Sequence, residues 1–557
     1  MQNVLQKNQR LLFYAGWFLI NIIQAATTEL LDDEAYYWVY SRYLDWGYFD
    51  HPPMVAALIK AGYALFHNEL GVRLLFVALN TATIFIIQEL TAKKDERLFY
   101  AIAGSVAIAQ IGGILAAPDI PLLFFTALFF LLFRHFLQRM NFVNTLLLGI
   151  CMALMLYSKY HGVLIIFFAF ISRIRLLTKW QVYAAGLVGL LLFAPHLYWQ
   201  YTHNFPSVQY HLFERNAPHY KFSYTIEYIL GQIAMAGPLV GWLLLWAAYK
   251  HKPITAAEKA MQYAFLGTYF VFLVSTLKGR VEANWTVAAF IPMMVLSHQY
   301  LVHRFRMRSW LLKSVPITLV LVLIVRVYMT KWVPNLPGVE RNEIHNNHVW
   351  VDSMYQKSEG LPLVLINSYQ WASKYMFYSG QPALSLNTPY YRRNNFNLWP
   401  IEDSLIGKPV YLVVPQPHDG YRNLFANQQW NYPEAGRVDH YYSFSRVLFT
   451  DITSHILQDR TLQLKTRVTC TEDYTALFRQ PRYAQTPIWL ALYRNDGIVA
   501  FINTGATVSG LTGNNLQLTI NISYDFKPGE YNARLCIGSS VEGFPSINST
   551  EFGFTVN

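Results

Sequence analysis

The sequence predicts a polytopic α-helical membrane protein with a folded C-terminal part, and three observations predict it. Of 557 residues, 54% are hydrophobic and only 14% charged, a balance that water-soluble domains rarely carry. Apolar stretches of spanning length recur up to about residue 330 and then stop. Beyond about residue 340 the hydrophobic runs shorten to strand length, and further on they alternate at period two.

The apolar runs fall at 11–28, 71–91, 98–117, 120–134, 142–158, 162–173, 181–198, 227–249, 260–277, 285–300 and 310–330, roughly eleven spans. The run at 162–173 is short for a hydrocarbon core about 30 Å thick, so it and its predecessor also read as a bent or re-entrant pair. Lys7 and Arg10 precede the first run, and no small-residue cleavage site follows it. This predicts a retained first span with a cytoplasmic N-terminus. Connections on that side hold Lys93, Lys94 and Arg97, then Arg134 and Arg139, Arg173 and Arg175, Lys250 and Lys252, and Arg304, Arg306 and Arg308. Cations on the cytoplasmic side are the usual topology signal of an inner (plasma) membrane protein. The opposite side collects Asp32, Asp33, Glu34, Asp45, Asp50, Asp119, Glu214 and Glu282. An odd span count also places everything after about residue 331 outside the cytoplasm.

The net charge of +11 suggests nucleic acid at first sight, but the cations sit in short clusters between apolar runs and line no single face; no nucleic-acid partner is predicted. Three cysteines are too few for a disulfide framework or a Cys-rich metal site. Cys470 and Cys536 remain able to pair in an exported domain.

The expected domains are 1–335 in the membrane, an extracytoplasmic α/β region over 336–447, and an immunoglobulin-like β-sandwich over 448–557. Strand-length runs at 362–367, 383–387 and 409–415, with a helix at 369–378, predict the α/β region. Alternation at 461–469, 488–493, 498–503, 516–524 and 531–537, with turns at 494–497 and 527–530, predicts the sandwich.

Residues 29–70 form a long external loop with amphipathic stretches at 34–44 and 53–66, which predict helices lying along the membrane surface. This loop holds the densest polar segment, Leu31-Asp32-Asp33-Glu34-Ala35-Tyr36-Tyr37-Trp38, running on to Tyr48-Phe49-Asp50-His51-Pro52-Pro53. A carboxylate cluster just outside a membrane binds a cation, acts as a general base, or is a solvated loop end. Residues 199–226 carry His203, His211, His219, Glu214 and Arg215; histidines eight apart share no helix face, so an interfacial loop is expected ahead of a metal site. Asp119, between Pro118 and Pro121, is placed to cap a helix. Lys159 reads as a snorkelling lysine or as a cation for an anionic group. In Lys278-Gly279-Arg280-Val281-Glu282-Ala283-Asn284-Trp285, Asn284 suits a cap and Trp285 an interfacial anchor. Two cations and an acid in so short a turn also suit a phosphate and sugar site.

The pattern Asp33-Glu34-x-x-Tyr37 after the first span, then Tyr48-Phe49-Asp50-His51-Pro52-Pro53 and a second acid at Pro118-Asp119, resembles the membrane glycosyltransferases of the GT-C superfamily. The likeness is greatest to the protein-mannosyltransferase and lipid A aminoarabinose-transferase group, multi-pass enzymes that use polyprenyl-phosphate sugars. It extends over residues 1 to about 330 in layout. It implies a GT-C fold of about eleven spans and inverting transfer from the lipid phosphate to a hydroxyl of a protein, lipid or envelope glycan. Asp33 would be the base and Glu34 its catalytic neighbour, orienting the acceptor, the sugar or Asp33's surroundings. Tyr37, Asp50, His51, Asp119, Lys159, Lys278, Arg280 and Glu282 would contact substrate. In the aminoarabinose-transferase branch a lysine stands where this chain has His51, so phosphate contact there becomes pH-dependent or moves to another cation. No metal ligand set is predicted and no cofactor is required; a divalent cation is compatible, although a monophosphate leaving group recruits one less often than a pyrophosphate does.

Two other classes stay open. A lipid-sugar flippase should carry ionisable residues or broken helices near mid-membrane and related halves; the runs here are largely uncharged in their middles. An exported binding module on an anchor would need only one span.

Overall fold

The computed structural model describes residues 2–91, 94–211, 219–331, 343–414, 434–456, 461–494, 497–511, 513–521 and 526–556. They form two units, Met1–His345 and Asn346–Asn557.

The first unit is helical. Helix α1 (Gln2–Thr27) ends at an elbow, and α2 (Asp32–Arg42) leaves it at 87°. Three acids, Asp32, Asp33 and Glu34, occupy the first turn of α2, where the positive end of the helix dipole favours them. Helix α3 (Met54–Tyr63) and α4 (Glu69–Leu90) follow. These two approach so closely that a Cβ on Gly62 would lie 2.3 Å from the Gly71 carbonyl oxygen. The run at 98–117 is broken into α5 (Glu96–Ser105) and α6 (Ala107–Gln110), continuing in a short 3₁₀ turn, with a 78° bend at Val106.

Next come α7 (Asp119–Gln138), α8 (Phe142–Ser158), the short α9 (Gly162–Ile171) and α10 (Trp180–Thr202). Helix α8 packs between α7 and α10. After α11 (Pro206–Gln209), the run at 227–249 is again two helices, α12 (Phe222–Ala236) and α13 (Gly241–Lys250), bent by 93°. Helices α14 (Ala256–Ser275), α15 (Phe290–Leu301) and α16 (Phe305–Thr330) complete the unit. Among the described residues, four helices (α4, α7, α10, α16) are long and apolar enough to cross a membrane, or seven spans if each bent pair counts as one.

In the second unit, α17 (Asn347–Lys357) precedes β1 (Leu363–Ile366), α18 (Tyr369–Ser379), β2 (Ala383–Leu386), β3 (Val410–Val414) and β4 (Glu434–Val438). The sheet order is β2-β1-β3-β4, with β1 parallel to β2 and β3 and only β4 antiparallel. The first three strands are buried throughout, as a sheet covered on both faces requires.

The remaining strands are β5 (Leu448–Ile456), β6 (Thr461–Thr469), β7 (Pro487–Arg494), β8 (Gly497–Thr507), β9 (Asn515–Asn521), β10 (Gly529–Ile537), β11 (Ser546–Ile547) and β12 (Phe552–Val556). They make a β5-β6-β9 sheet and a β11-β10-β7-β8 sheet with β12 on β10. Leu462, Leu464 and Leu518 from one sheet meet Ile488, Leu490 and Leu535 from the other in a single core, the packing of a sandwich. Glu402 ties this core to the preceding region: its fully buried carboxylate accepts from the backbone N–H and hydroxyl of both Ser443 and Ser445 and from the Tyr474 hydroxyl. Cys470 and Cys536 are unpaired thiols, each hydrogen-bonded elsewhere.

Candidate active site

The α2 N-terminus sorts its three acids by burial. Asp32 and Glu34 are buried, and Asp33 between them is exposed. At 100° per residue, neighbours on a helix cannot share a face.

Glu34 is held by a buried pair. Arg73, on the second turn of α4 and inaccessible to solvent, donates from Nε to Glu34 Oε1 at 2.7 Å and from Nη2 to Oε2 at 2.5 Å. The same guanidinium donates to the carbonyls of Ala25, Thr28 and Glu29 at the end of α1. Glu34 also accepts from the backbone N–H of Leu31 at 3.0 Å and of Ala116 at 2.8 Å. One carboxylate therefore fixes the α1–α2 elbow, α4 and the segment leading to Asp119. With four donors on its two oxygens, Glu34 is built to position.

Three residues beyond Ala116, Asp119 opens α7 as its first helical residue, and its side chain makes no cap hydrogen bond. The expected cap is replaced by a different pair. Asp119 Oδ1 accepts from Lys159 Nζ at 2.7 Å and Oδ2 from Asn284 Nδ2 at 3.1 Å. Lys159 is likewise not a snorkelling lysine but is buried, and Asn284 holds Asp119 in place of capping a helix. This three-residue clamp joins α7, the α8–α9 turn and the 278–285 segment. On that segment Lys278 is exposed, and Arg280, 65% exposed, lies 3.5 Å from Glu227 and 4.0 Å from Glu282.

The 45–51 segment is held from the other side of the same turn. The Tyr160 hydroxyl meets His196 Nε2 at 2.9 Å, Gln200 Nε2 at 3.1 Å and Ser207 Oγ at 3.1 Å. Ser207 Oγ in turn donates to the carbonyls of Tyr48 and Phe49, and His196 Nδ1 lies 2.7 Å from the Trp46 carbonyl. Trp199 Nε1 donates to Asp45 at 2.8 Å. Gly47 is required here, because a Cβ would sit 2.4 Å from the Trp199 ring. Burial first, and then the Asp50 charge, push the Tyr160 hydroxyl well above the usual phenol range. Burial first, and then the neighbouring Tyr36 and Asp50, also raise Tyr40, on α2.

His51 is half-buried, with its ring 5.5 Å from Tyr37 and 6.4 Å from His211; His211 Nε2 meets the Asp50 carbonyl at 3.0 Å. His203 stacks on Trp199 and His219 is exposed, while Glu214 and Arg215 lie outside the described residues. The His161 ring meets that of Trp285 at 5.4 Å. The turn Lys159-Tyr160-His161 thus meets the 283–285 segment directly and is linked to the 45–51 segment through Ser207 and His196, while Asp33, Glu34 and Tyr37 lie on α2, which Glu34 ties to Ala116, three residues before Asp119. Sequence reasoning missed Arg73, Tyr160, His196, Gln200 and Ser207. Arg73 alone carried a signal, as a charge at the edge of an apolar run.

Residues 50–199 match the family model described as dolichyl-phosphate-mannose-protein mannosyltransferase. The lipid A galacturonosyltransferase RgtD of Rhizobium johnstonii is 25% identical over 308 residues, covering 52% of this chain and 64% of that protein; the chain therefore spans less than two thirds of this relative's length. ArnT from Cupriavidus metallidurans bound to undecaprenyl phosphate superposes with a TM-score of 0.54 at 13% identity, over 73% of this chain and 93% of that one. Its apo state gives 0.53 over the same shares. The segment that carries Asp50, His51, Asp119 and Lys159 thus matches a mannosyltransferase family model, and the fold is similar to that of ArnT.

Proposed function

We propose that the protein is an inverting glycosyltransferase that moves one sugar from a polyprenyl phosphate to a hydroxyl acceptor at the outer face of the inner membrane. The observation that carries this reading is the exposure of Asp33 between two buried acids, on a helix locked by the Glu34–Arg73 pair. As the acceptor oxygen bonds to the anomeric carbon, Asp33 takes its proton, and the bond from that carbon to the phosphate oxygen breaks. The lipid phosphate leaves with the electron pair. Lys278 and Arg280, exposed on the segment clamped by Asn284, and His51 beside Tyr37 are the cations proposed to meet that charge. Glu34 and the Asp119–Lys159 pair position these groups. Tyr37, Asp50 and Glu282 are proposed to line the sugar. The reading calls for no metal, since three cations suffice for a monophosphate.

Transfer by the purified protein in lipid, assayed across radiolabelled polyprenyl-phosphate sugars with crude envelope acceptors, tests it. Wild type should transfer label with or without EDTA, and Asp33→Asn should lower turnover by about 10²–10⁴-fold while still binding the lipid sugar. Equal turnover by both proteins would remove Asp33 as base. Tight lipid-sugar binding with no transfer from any donor would favour a flippase.

A further inference from the structure

At the far end of the membrane unit, the ends of α4, α7, α13, α14 and α15 enclose a cleft of about 590 Å³. Helix α4 has 22 residues, so the cleft lies about 33 Å from the end of that helix nearest the Asp33 loop, one membrane thickness away. Five cations from four stretches of the chain converge on it: Lys94, Arg134, Lys250 with Lys252, and Arg304, joined by His303. The nearby carboxylates are already committed. Glu89 pairs with Arg10 at 2.9 Å, Asp95 with Arg308, and Glu258, which lines the cleft, with His251 at 2.9 Å. Among the described residues none of the five cations is in an ion pair.

Cations on this side of a membrane protein ordinarily set topology, and that role needs no cavity. Here they surround one, and part of its wall is apolar: Leu90, Ala257, Met261 and Val295 line it, with Ile254 exposed. A soluble anion has no use for such a wall, whereas an acyl chain does. We propose that this cleft binds the phosphate of an anionic phospholipid, with Arg134 and Arg304 on the phosphate and the first acyl segment along the apolar wall. This site is separate from the sugar-transfer site and does not depend on it.

Native mass spectrometry of the delipidated full chain tests this, with dioleoyl phosphatidylglycerol, dioleoyl phosphatidylcholine or inorganic phosphate added. Wild type should retain phosphatidylglycerol in preference to phosphatidylcholine, and Arg134→Gln/Arg304→Gln should weaken that retention by on the order of tenfold. Millimolar inorganic phosphate should not displace the lipid. The wild-type comparisons stand even if the variant inserts poorly. Equal retention of the two lipids, retention unchanged in a folded variant, or full displacement by inorganic phosphate would each overturn the proposal.

Discussion

Glu34→Gln changes one atom in a buried carboxylate that accepts four hydrogen bonds, and the structure gives its cost. Oε1 accepts from Arg73 Nε and the Ala116 N–H, and Oε2 from Arg73 Nη2 and the Leu31 N–H. Whichever way the amide turns, an NH₂ group faces two donors, so two hydrogen bonds are lost and one involves a buried cation. Bonds to charged groups contribute about 1.5–3 kcal/mol and neutral ones about 0.5–1.5. Their sum, about 2–4.5 kcal/mol, overlaps the range of about 3–5 kcal/mol seen when one partner of a buried pair is removed. Arg73 would keep three carbonyl acceptors but no counter-charge. Reversible unfolding in mixed micelles, followed by circular dichroism, should show Glu34→Gln and Arg73→Met each losing about that much. The double variant Glu34→Met/Arg73→Met should lose clearly less than the sum, because no charge is left buried alone. Asp33→Asn, on the exposed side of the same turn, should stay within about 1 kcal/mol of wild type. A Glu34→Gln protein as stable as wild type would refute the positioning role and return Glu34 to the chemistry.

Lys159→Met should release Asn284 from Asp119, and limited trypsin digestion after Lys278 or Arg280 should then quicken several-fold; an unchanged cleavage rate would show that the clamp does not hold this segment. Gly47→Ala must push back the Trp199 ring, which its Cβ would meet at 2.4 Å, so it should cost about 1–3 kcal/mol and alter tryptophan emission; an unchanged spectrum and melting point would contradict the close approach. Burial pushes the Cys536 thiol up to about 12, so at pH 8 it should resist maleimide in the folded protein while the half-buried Cys470 reacts. Because the folded value lies above the unfolded one, Cys536's contribution to stability is complete below about pH 9 and lost as pH rises toward 12. Rapid labelling of native Cys536 would count against this.

What the sequence made legible was whatever depends on neighbours a few residues away. The 461–469 alternation is strand β6 to the residue, and 369–378 is helix α18 to within one. Strand β5 escaped because its register shifts between Thr450 and Thr453, with Asp451 at φ +51°; a bulge breaks the period that reveals a strand. The run at 98–117 carries only Gly104 and Ser105, and neither a charge nor a proline, where Val106 turns extended, so hydropathy read one span in place of a bent pair. The polar segments were found, and with them the split between Asp33 and Glu34, but the partners that hold them were not. Glu34 finds Arg73 39 residues away and Asp119 finds Lys159 40 away, and no local period encodes such partners.

That division is the physical content of the site. A base must be exposed enough to meet an acceptor hydroxyl and fixed enough to meet it in one geometry, and one carboxylate cannot easily do both. On the proposed reading the two demands fall on adjacent residues. Glu34 spends its hydrogen-bonding capacity on Arg73, Leu31 and Ala116, which pins the helix, and the 100° step along that helix leaves Asp33 facing outward. The same arrangement recurs at the start of α7, where buried Asp119 and Lys159 pair and Asp119 also holds Asn284, leaving Lys278 and Arg280 exposed. The exposed acid and the exposed cations are therefore both carried on elements anchored by buried pairs, and loss of either pair should loosen geometry before it removes a reacting group.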